Sequence, residues 1–325
     1  MMLSIVIPVY RNEESIHELI EALNKVTNIA LRGHHEKTEV VFVVDGSPDN
    51  CHQLLEQTLC RAAFSSKLLL HSRNFGSFAA IRTGLLAASG DYFAVLAADL
   101  QEPPELVLAF LDKLKNDACD VVVGCRENRD DPTFSRIASN TFWRLYKKFV
   151  IPEIPEKGVD IFGCNKTFRD HLVSFEEANT SLIGLIFWLG FKRTYINYTR
   201  VARKHGESAW TLKKKINYLF DSIFSFTDMP IRVLTLFGIL GIGISTLFAF
   251  IIVIAKIFGS IVVPGYAATV LTIMFFGGIN SLGLGIVGAY SWRTFENTKR
   301  RPLAVVTKIQ SFEADQVNLK YEEVK

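Results

Sequence analysis

The chain opens on an apolar, β-branched run, Leu3-Ser-Ile-Val-Ile-Pro-Val9. Such a run reads as a buried strand. From Glu13 to Val26 the apolar positions switch period and fall at Ile16, Leu19, Ile20 and Leu23, one face of a helix. Val40–Val44 predicts a second strand. It ends on Asp45-Gly-Ser-Pro-Asp-Asn50, a turn-rich segment that also caps the next helix. Lys67–His71 predicts a third strand, Gly76–Ala88 a helix, Tyr92–Ala98 a fourth strand, Glu105–Leu114 a helix and Asp120–Gly124 a fifth strand. Strands alternating with helices imply right-handed βαβ units and a mostly parallel sheet, so an α/β fold.

Polar residues collect where these strands end. The fourth strand runs into Asp99-Leu-Gln-Glu-Pro-Pro-Glu105. Pro103 and Pro104 close the strand and can open a helix, because proline is tolerated in a first helical turn. A carboxylate at the carboxyl end of a parallel strand lies where open α/β sheets bind ligands. The hard oxygen donors Asp99 and Gln101 suit Mg²⁺ or Mn²⁺ holding a diphosphate. Read alone, the stretch is equally a strand followed by a helix cap. Pro8 and Tyr10 follow the first strand, Asp45 and Ser47 the second, Arg73 and Asn74 the third, and Arg126 the fifth. Together they line one sheet edge, the place for a nucleotide. Neither G-x-G-x-x-G after the first strand nor a P-loop is present.

Beyond residue 130 the pattern changes twice. Ile137, Phe142, Leu145, Tyr146 and Phe149 form an apolar stripe flanked by Arg136, Arg144, Lys147 and Lys148. Leu212, Ile216, Leu219, Phe220 and Ile223 form a second, beside Lys213, Lys214 and Lys215. Basic amphipathic helices with aromatics read as membrane-surface helices; the alternative is two helices packed on the sheet. Then, between Arg232 and Arg293, Lys256 is the sole charged residue. Val233–Ala255 and Ala267–Ser291 are each long enough to span a bilayer, with Pro264-Gly265 as the turn. Arg232, Arg293, Lys299, Arg300 and Arg301 flank one side, which the positive-inside rule places in the cytoplasm with both termini. Gly277, Ser281, Gly285 and Ala289 form a small-residue seam for helix packing within the hairpin or between subunits. The tail after Pro302 shows no assignable role.

Composition narrows the partners. The 325 residues suffice for one sizeable domain plus a further module. A net charge of +3 is too small to argue for nucleic acid. The five cysteines show no C-x-x-C spacing and read as reduced, mostly buried thiols. The run at Leu3–Val9 is too short, and lacks a basic lead, for a signal peptide.

Several segments in order resemble one family: Ile5-Val-Ile-Pro-Val-Tyr-Arg-Asn-Glu-Glu14, Val44-Asp-Gly-Ser-Pro-Asp49, Ser72-Arg-Asn-Phe-Gly76, Asp99-Leu-Gln-Glu-Pro-Pro-Glu105 and Gly124-Cys-Arg126. They look like the family 2 glycosyltransferases of GT-A fold, in the branch that uses polyprenyl phosphate: dolichyl-phosphate mannose synthases and bactoprenol glucosyltransferases. Arg203-Lys-His-Gly-Glu-Ser-Ala-Trp210 resembles that branch's R-x-x-G-E-S-K-W/Y loop, with Ala209 in place of lysine. The resemblance implies a nucleotide-sugar core over 1–130, an acceptor region with interfacial helices over 131–230, a transmembrane hairpin over 231–293 and a cytoplasmic tail over 294–325. It implies Pro8, Tyr10, Glu13, Asp45, Ser47, Arg73 and Asn74 at the nucleotide, Asp99 and Gln101 at Mg²⁺ or Mn²⁺, and Asp99 and Arg126 as catalytic. Arg203, Lys204, His205 and Ser208 would face the acceptor phosphate, with Arg200 in the same basic segment. Val44 and Ala97 stand where the family usually has aspartates, so a metal that binds together with the nucleotide is expected. The implied reaction moves a sugar, glucose from UDP-glucose by preference, onto undecaprenyl or another polyprenyl phosphate at the cytoplasmic membrane face, with inversion. The implied protein is an integral membrane enzyme, able to oligomerise through its helices. Two rival readings are a membrane polysaccharide synthase and a degenerate module that binds a nucleotide sugar without catalysis.

Overall fold

A computed structural model describes residues 2–34, 37–126, 144, 146–148, 150–155, 159–177, 180–201, 212–258 and 265–314. Its described strands form one eight-stranded sheet: β1 Met2–Val9, β2 Lys37–Val44, β3 Ser65–His71, β4 Tyr92–Val95, β5 Val121–Arg126, β6 Val159–Asn165, β7 Arg193–Tyr198 and β8 Val306–Phe312. The order is β7-β5-β6-β4-β1-β2-β3-β8. β6 and β8 run against the other strands, so the sheet is mostly parallel as expected.

Helices cover both faces. α1 (Ile16–His34), α2 (Cys51–Leu59) and α4 (Leu106–Asn116) lie on one, and α3 (Ser77–Ala87), α5 (Lys166–Ser174) and α6 (Leu182–Trp188) on the other. The strand sequences explain this. In β2, Val40, Phe42 and Val44 enter one core, while Val41 and Val43 enter the other. A strand buried on both faces reads as an unbroken apolar run.

The element bounds differ from the sequence reading in instructive ways. α1 starts at Ile16, after a 3₁₀ turn at Glu13–Ser15, and continues to His34. β4 stops at Val95 instead of Ala98; Leu96 N–H still donates to the Val6 carbonyl (3.0 Å), after which the chain leaves the ladder. The tail, given no role from sequence, is a strand. β8 pairs antiparallel with β3, from Ser66↔Phe312 to His71↔Val306, and so covers the sheet edge. Lys308 Nζ (2.9 Å) and Gln310 Nε2 (2.5 Å) both reach Glu56 on α2.

Three further helices precede that tail: α7 (Leu212–Phe226), α8 (Met229–Ile257) and α9 (Tyr266–Thr298). On α7, Tyr218, Leu219, Ile223 and Phe226 pack against the core, while Phe220 stays exposed. Leu219 and Ile223 of the expected membrane-facing stripe are therefore used by the domain itself. Tyr146, from the first expected stripe, is fully buried and stacks on Tyr218 (5.9 Å, 6° between planes). Ile137, Phe142, Leu145 and Phe149 lie outside the described residues. α8 and α9 pack side by side: a Cβ on Gly241 would sit 3.0 Å from Phe276, and one on Gly283 would sit 3.1 Å from Leu234. The expected Gly277–Gly285 seam is not that contact, since a Cβ on either glycine would meet nothing within 4 Å. Among the described residues, Met229–Phe248 is a segment long and apolar enough to cross a membrane.

Candidate active site

The carboxyl ends of β1, β2, β3, β4, β5 and β7 share one edge, and the strand order reverses at β1, between β2 and β4. A ligand crevice forms at such a switch point. Three loops meet there. The Tyr10–Ser15 loop is tied to the end of β4 by Ser15 Oγ, which donates to the Ala98 carbonyl (3.0 Å). It is tied to the loop after β2 by Arg11 N–H to Ser47 Oγ (2.8 Å) and Glu13 N–H to Asp49 Oδ2 (3.2 Å). Glu13 answers with its own carboxylate, which accepts from the Asn50 N–H and Nδ2 (3.1 Å each).

Asp49 is the hub of this corner. Burial raises its pKa, but donation from Cys51 Sγ, Ser47 Oγ and the Glu13 and Cys51 amides outweighs that and holds it below the usual carboxylate range. The same burial, with Asp49 beside it, pushes the Cys51 thiol up to about 12.

Asp45 is placed otherwise than its expected part at the nucleotide base or ribose would suggest. It is buried, and both its oxygens are engaged inside the protein. Oδ1 accepts from Phe75 N–H (2.8 Å) and faces His71 Nδ1 (2.9 Å); Oδ2 accepts from Gly76 N–H (2.8 Å). Asp45 thus shapes the Arg73–Gly76 turn instead of presenting a free oxygen. Gly46 makes that turn possible. At φ +56° it suits glycine, and a Cβ there would lie 2.2 Å from the Arg73 carbonyl carbon. Arg73 and Asn74 end up exposed on the rim, with the Arg73 guanidinium 4.1 Å from the Phe75 ring centroid. Tyr10 lies on the facing loop, 5.5 Å from the Arg11 guanidinium, just past Pro8 in β1.

Asp99 stands on the loop after β4, half-buried. Leu100 beside it holds φ +54°, a left-handed conformation rare for leucine that turns the chain sharply between Asp99 and Gln101. Gln101 does not present a vacant ligand oxygen: Oε1 accepts from Arg200 Nη2 (2.7 Å), and Nε2 donates to the Val201 carbonyl (3.4 Å). Arg200 Nε also lies 3.2 Å from Glu102 Oε1, whose residue is buried. Arg200 therefore stitches the end of β7 to the Asp99 loop, and is not a free member of an anion pocket. Arg126 closes β5 and is buried at the same edge. Arg203, Lys204, His205 and Ser208 lie outside the described residues.

Among the described residues no three His, Cys, Asp or Glu side chains converge as a metal cage. Asp99 could supply one carboxylate to a metal that takes its remaining ligands from a diphosphate and water, an arrangement Mg²⁺ commonly accepts. A cation there would share the Gln101 oxygen with Arg200 or take it over.

The family profile described as glycosyl transferase family 2 matches residues 4–174, and so spans every one of these loops up to β6. The chain belongs to glycosyl transferase family 2. This glycosyltransferase is 34% identical to the uncharacterized glycosyltransferase YkcC of Bacillus subtilis, over 95% of this chain and 94% of that one. It is 29% identical to the prophage bactoprenol glucosyl transferase homolog of Escherichia coli, over 95% of this chain and 100% of that one. A solved structure of Mycobacterium tuberculosis glucosyl-3-phosphoglycerate synthase with Mn²⁺, UDP-glucose and phosphoglyceric acid aligns at 17% identity over 69% of this chain and 77% of that one, TM-score 0.48. The glycosyltransferase domain has the GT-A α/β fold with its mostly parallel sheet.

The part that His71, Asp49 and the Arg200–Glu102 pair play in holding these loops was not legible in the sequence. The pairing Val44↔Leu70 sets Asp45 beside His71, and only that register reveals the contact.

Proposed function

We propose that this glycosyltransferase moves glucose from UDP-glucose to a polyprenyl phosphate at the cytoplasmic face of the membrane, with inversion. The observation that carries the reading is the juxtaposition of a nucleotide-type crevice with a long apolar helix pair whose two ends both return to the catalytic domain. Relatives named bactoprenol glucosyl transferases, alignable over the whole length, support it. Arg232, Arg293, Lys299, Arg300 and Arg301 cluster at the domain end of the pair, and Lys256 lies toward the other. Trp292 and Phe295 are exposed beside Lys299, whose ammonium lies 5.1 and 4.4 Å from their ring centroids. Aromatic and basic residues together suit a membrane–water boundary. On this reading 231–293 is a transmembrane hairpin, 1–130 binds the donor and 131–230 receives the lipid.

The chemistry then follows from the groups available. A phosphate oxygen of the lipid attacks the anomeric carbon while the bond from that carbon to the diphosphate breaks, and the electron pair leaves with the nucleoside diphosphate. A phosphate monoester has a second pKa near ~6, so it is largely dianionic at pH 7 and needs positioning, not a general base. That suits a site in which no base is evident among the described residues. A divalent metal bound with the diphosphate would supply charge neutralisation, and Asp99 is the carboxylate to hold it. Arg126 and the rim cation Arg73 are assigned to the charge that develops on the leaving group. Arg203, Lys204, His205 and Ser208 are assigned to the acceptor phosphate.

The test is turnover of radiolabelled UDP-glucose by purified protein with undecaprenyl phosphate and Mg²⁺. Formation of a lipid-extractable glucosyl product is expected. Glucose transfer to a growing sugar chain in place of the lipid phosphate would favour a polysaccharide synthase and end this reading.

A further inference from the structure

We propose that His71 is a positioning residue for the nucleotide donor, acting through Asp45 on the Arg73–Gly76 turn. The proposal rests on the donor crevice described above and concerns a residue with no part in the chemistry itself.

His71 ends β3 and is buried. The carboxylate of Asp45 can only accept, so Nδ1–H of His71 donates to Oδ1 (2.9 Å). Nε2 pairs with the Thr83 hydroxyl on α3 at 3.0 Å. A polar chain therefore runs from α3 through His71 to Asp45, and from there to the amides of Phe75 and Gly76. The ring also touches the turn directly, edge-on to Phe75 at 5.6 Å and 89°. Phe75 in turn underlies the Arg73 guanidinium. The turn lies between β3 and α3, held at its ends by Ser72 N–H to the Val305 carbonyl (2.9 Å) and Ala80 N–H to the Gly76 carbonyl (3.1 Å); α3 has no side-chain cap, and the amides of Phe75 and Gly76 donate to Asp45.

The geometry explains why a histidine belongs here. Asp45 satisfies two backbone amides, but a buried carboxylate with free acceptor capacity is costly, and its orientation would be loose. His71 supplies a third donor and couples it to a helix, which leaves the carboxylate one direction to point. Val44 in the adjacent position is buried and apolar, so the carboxylate that accepts from the Phe75 and Gly76 amides is that of Asp45. The rim groups Arg73 and Asn74, which the donor reading places against the nucleotide, thus inherit their position from a residue that never touches it.

The test titrates UDP and, separately, GDP into wild type, His71→Leu, His71→Asn and Thr83→Val with Mg²⁺ by calorimetry, with thermal melts alongside. Steady-state turnover over a range of donor concentrations follows. His71→Leu keeps an apolar side chain of moderate size and removes both hydrogen bonds. It should weaken nucleotide binding roughly tenfold or more, raise the donor KM by the same factor and leave kcat at saturating donor within about twofold. His71→Asn retains a donor toward Asp45 and should recover most of the affinity. Thr83→Val, which leaves the ring in place, should show a smaller loss of the same kind. Equal loss in the Leu and Asn variants would mean the ring acts by packing, and would overturn the proposal. Unchanged affinity in a folded His71→Leu, or in Thr83→Val should the histidine variants fail to fold, would overturn it as well. Failure of wild type to bind either nucleotide would end the donor reading and this proposal together; binding of GDP alone would correct the uridine assignment and leave His71 to be judged on GDP.

Discussion

Arg293 on α9 donates through Nη2 to Asp221 Oδ1 on α7 at 2.7 Å. The guanidinium reaches Ser225 as well (3.2 Å) and lies 5.2 Å from the Phe224 ring centroid. One turn away, Tyr290 Oη donates to the Thr227 carbonyl (3.2 Å). α7 is in turn fixed to the domain through the Tyr218–Ser181 hydroxyl pair (2.7 Å) and through Phe226, which fills the space where a Cβ on Gly184 would sit. The last long helix is thus fastened to the catalytic domain before the chain leaves for β8. Asp221→Ala should cost about 1 kcal/mol, as partly exposed ion pairs do, and lower the melting temperature in detergent by roughly 2–4 °C. UDP affinity should not change. The double exchange Asp221→Arg with Arg293→Asp should restore part of the loss; no recovery would show that Arg293 stabilises through its Phe224 and Ser225 contacts and not through the ion pair.

Asp99 and Arg203 should fail in different ways. Asp99→Asn removes the carboxylate assigned to the metal, so turnover should vanish with Mg²⁺ and with Mn²⁺ and donor binding should weaken. Arg203→Ala should lose transfer through the acceptor, roughly 10- to 150-fold for a charge-assisted hydrogen bond of about 1.5–3 kcal/mol, with nucleotide affinity nearly unchanged. Rates against polyprenyl phosphate concentration, paired with nucleotide calorimetry, separate the two. Full metal-dependent activity in Asp99→Asn would refute the metal assignment.

Gly46→Ala should be more damaging than its single methyl suggests. The left-handed φ of +56° costs alanine roughly 1–2 kcal/mol, and the methyl would lie 2.2 Å from the Arg73 carbonyl carbon and 2.5 Å from the Asn74 nitrogen. The turn must shift, so nucleotide binding should fall at least tenfold while the far edge of the sheet stays folded. Crystallographic or hydrogen-exchange comparison of residues 72–76 would show the shift.

The pairing of β8 with β3 puts Val306–Phe312 on the catalytic sheet, which makes the proposed topology testable. If the tail is a strand of the catalytic sheet, a reporter fused at the C-terminus must sit on the same side as the domain. A tag placed near Gly259 should be labelled from the opposite side. Labelling of the C-terminus from outside intact cells would refute both the hairpin and the pairing in a membrane setting.

Thiol chemistry should distinguish the cysteines sharply. Cys51, Cys119, Cys125 and Cys164 are buried and Cys60 is exposed. Burial pushes Cys51 up to about 12 and Cys125 up to about 11, and raises Cys164 too, so these stay protonated through neutral and mildly alkaline pH. A maleimide at pH 7.5 should therefore modify Cys60 quickly, and Cys60→Ser should abolish the fast phase. Rapid modification of Cys51 would indicate that the Asn12–Asp49 corner opens in solution.

The sequence by itself determined the frame. Apolar runs such as Ile5–Ile7 and Val40–Val44 encode strands as short, unbroken, β-branched-rich stretches, and the helical face at Ile16–Leu23 encodes its neighbour; each signal is local and needs no partner. The strand-end positions of Asp99, Arg126 and Arg73 followed from the same logic, because a parallel sheet sends every carboxyl end to one edge. Tertiary structure alone decided what those groups are free to do. Asp45 and Gln101 carry the right chemistry for a ligand, yet their oxygens are taken by Phe75, Gly76, His71 and Arg200, partners between 26 and 99 residues away. The tail strand was hidden for a similar reason. Val306–Phe312 carries apolar residues at Val306, Ile309 and Phe312 with polar pairs between them, Lys308 and Gln310 included, so it lacks a strand's alternation, and nothing local distinguishes such a segment from a solvated tail. Its identity depends on an unpaired edge at β3, more than 230 residues earlier, and hydrogen bonding across that distance leaves no mark in the local pattern.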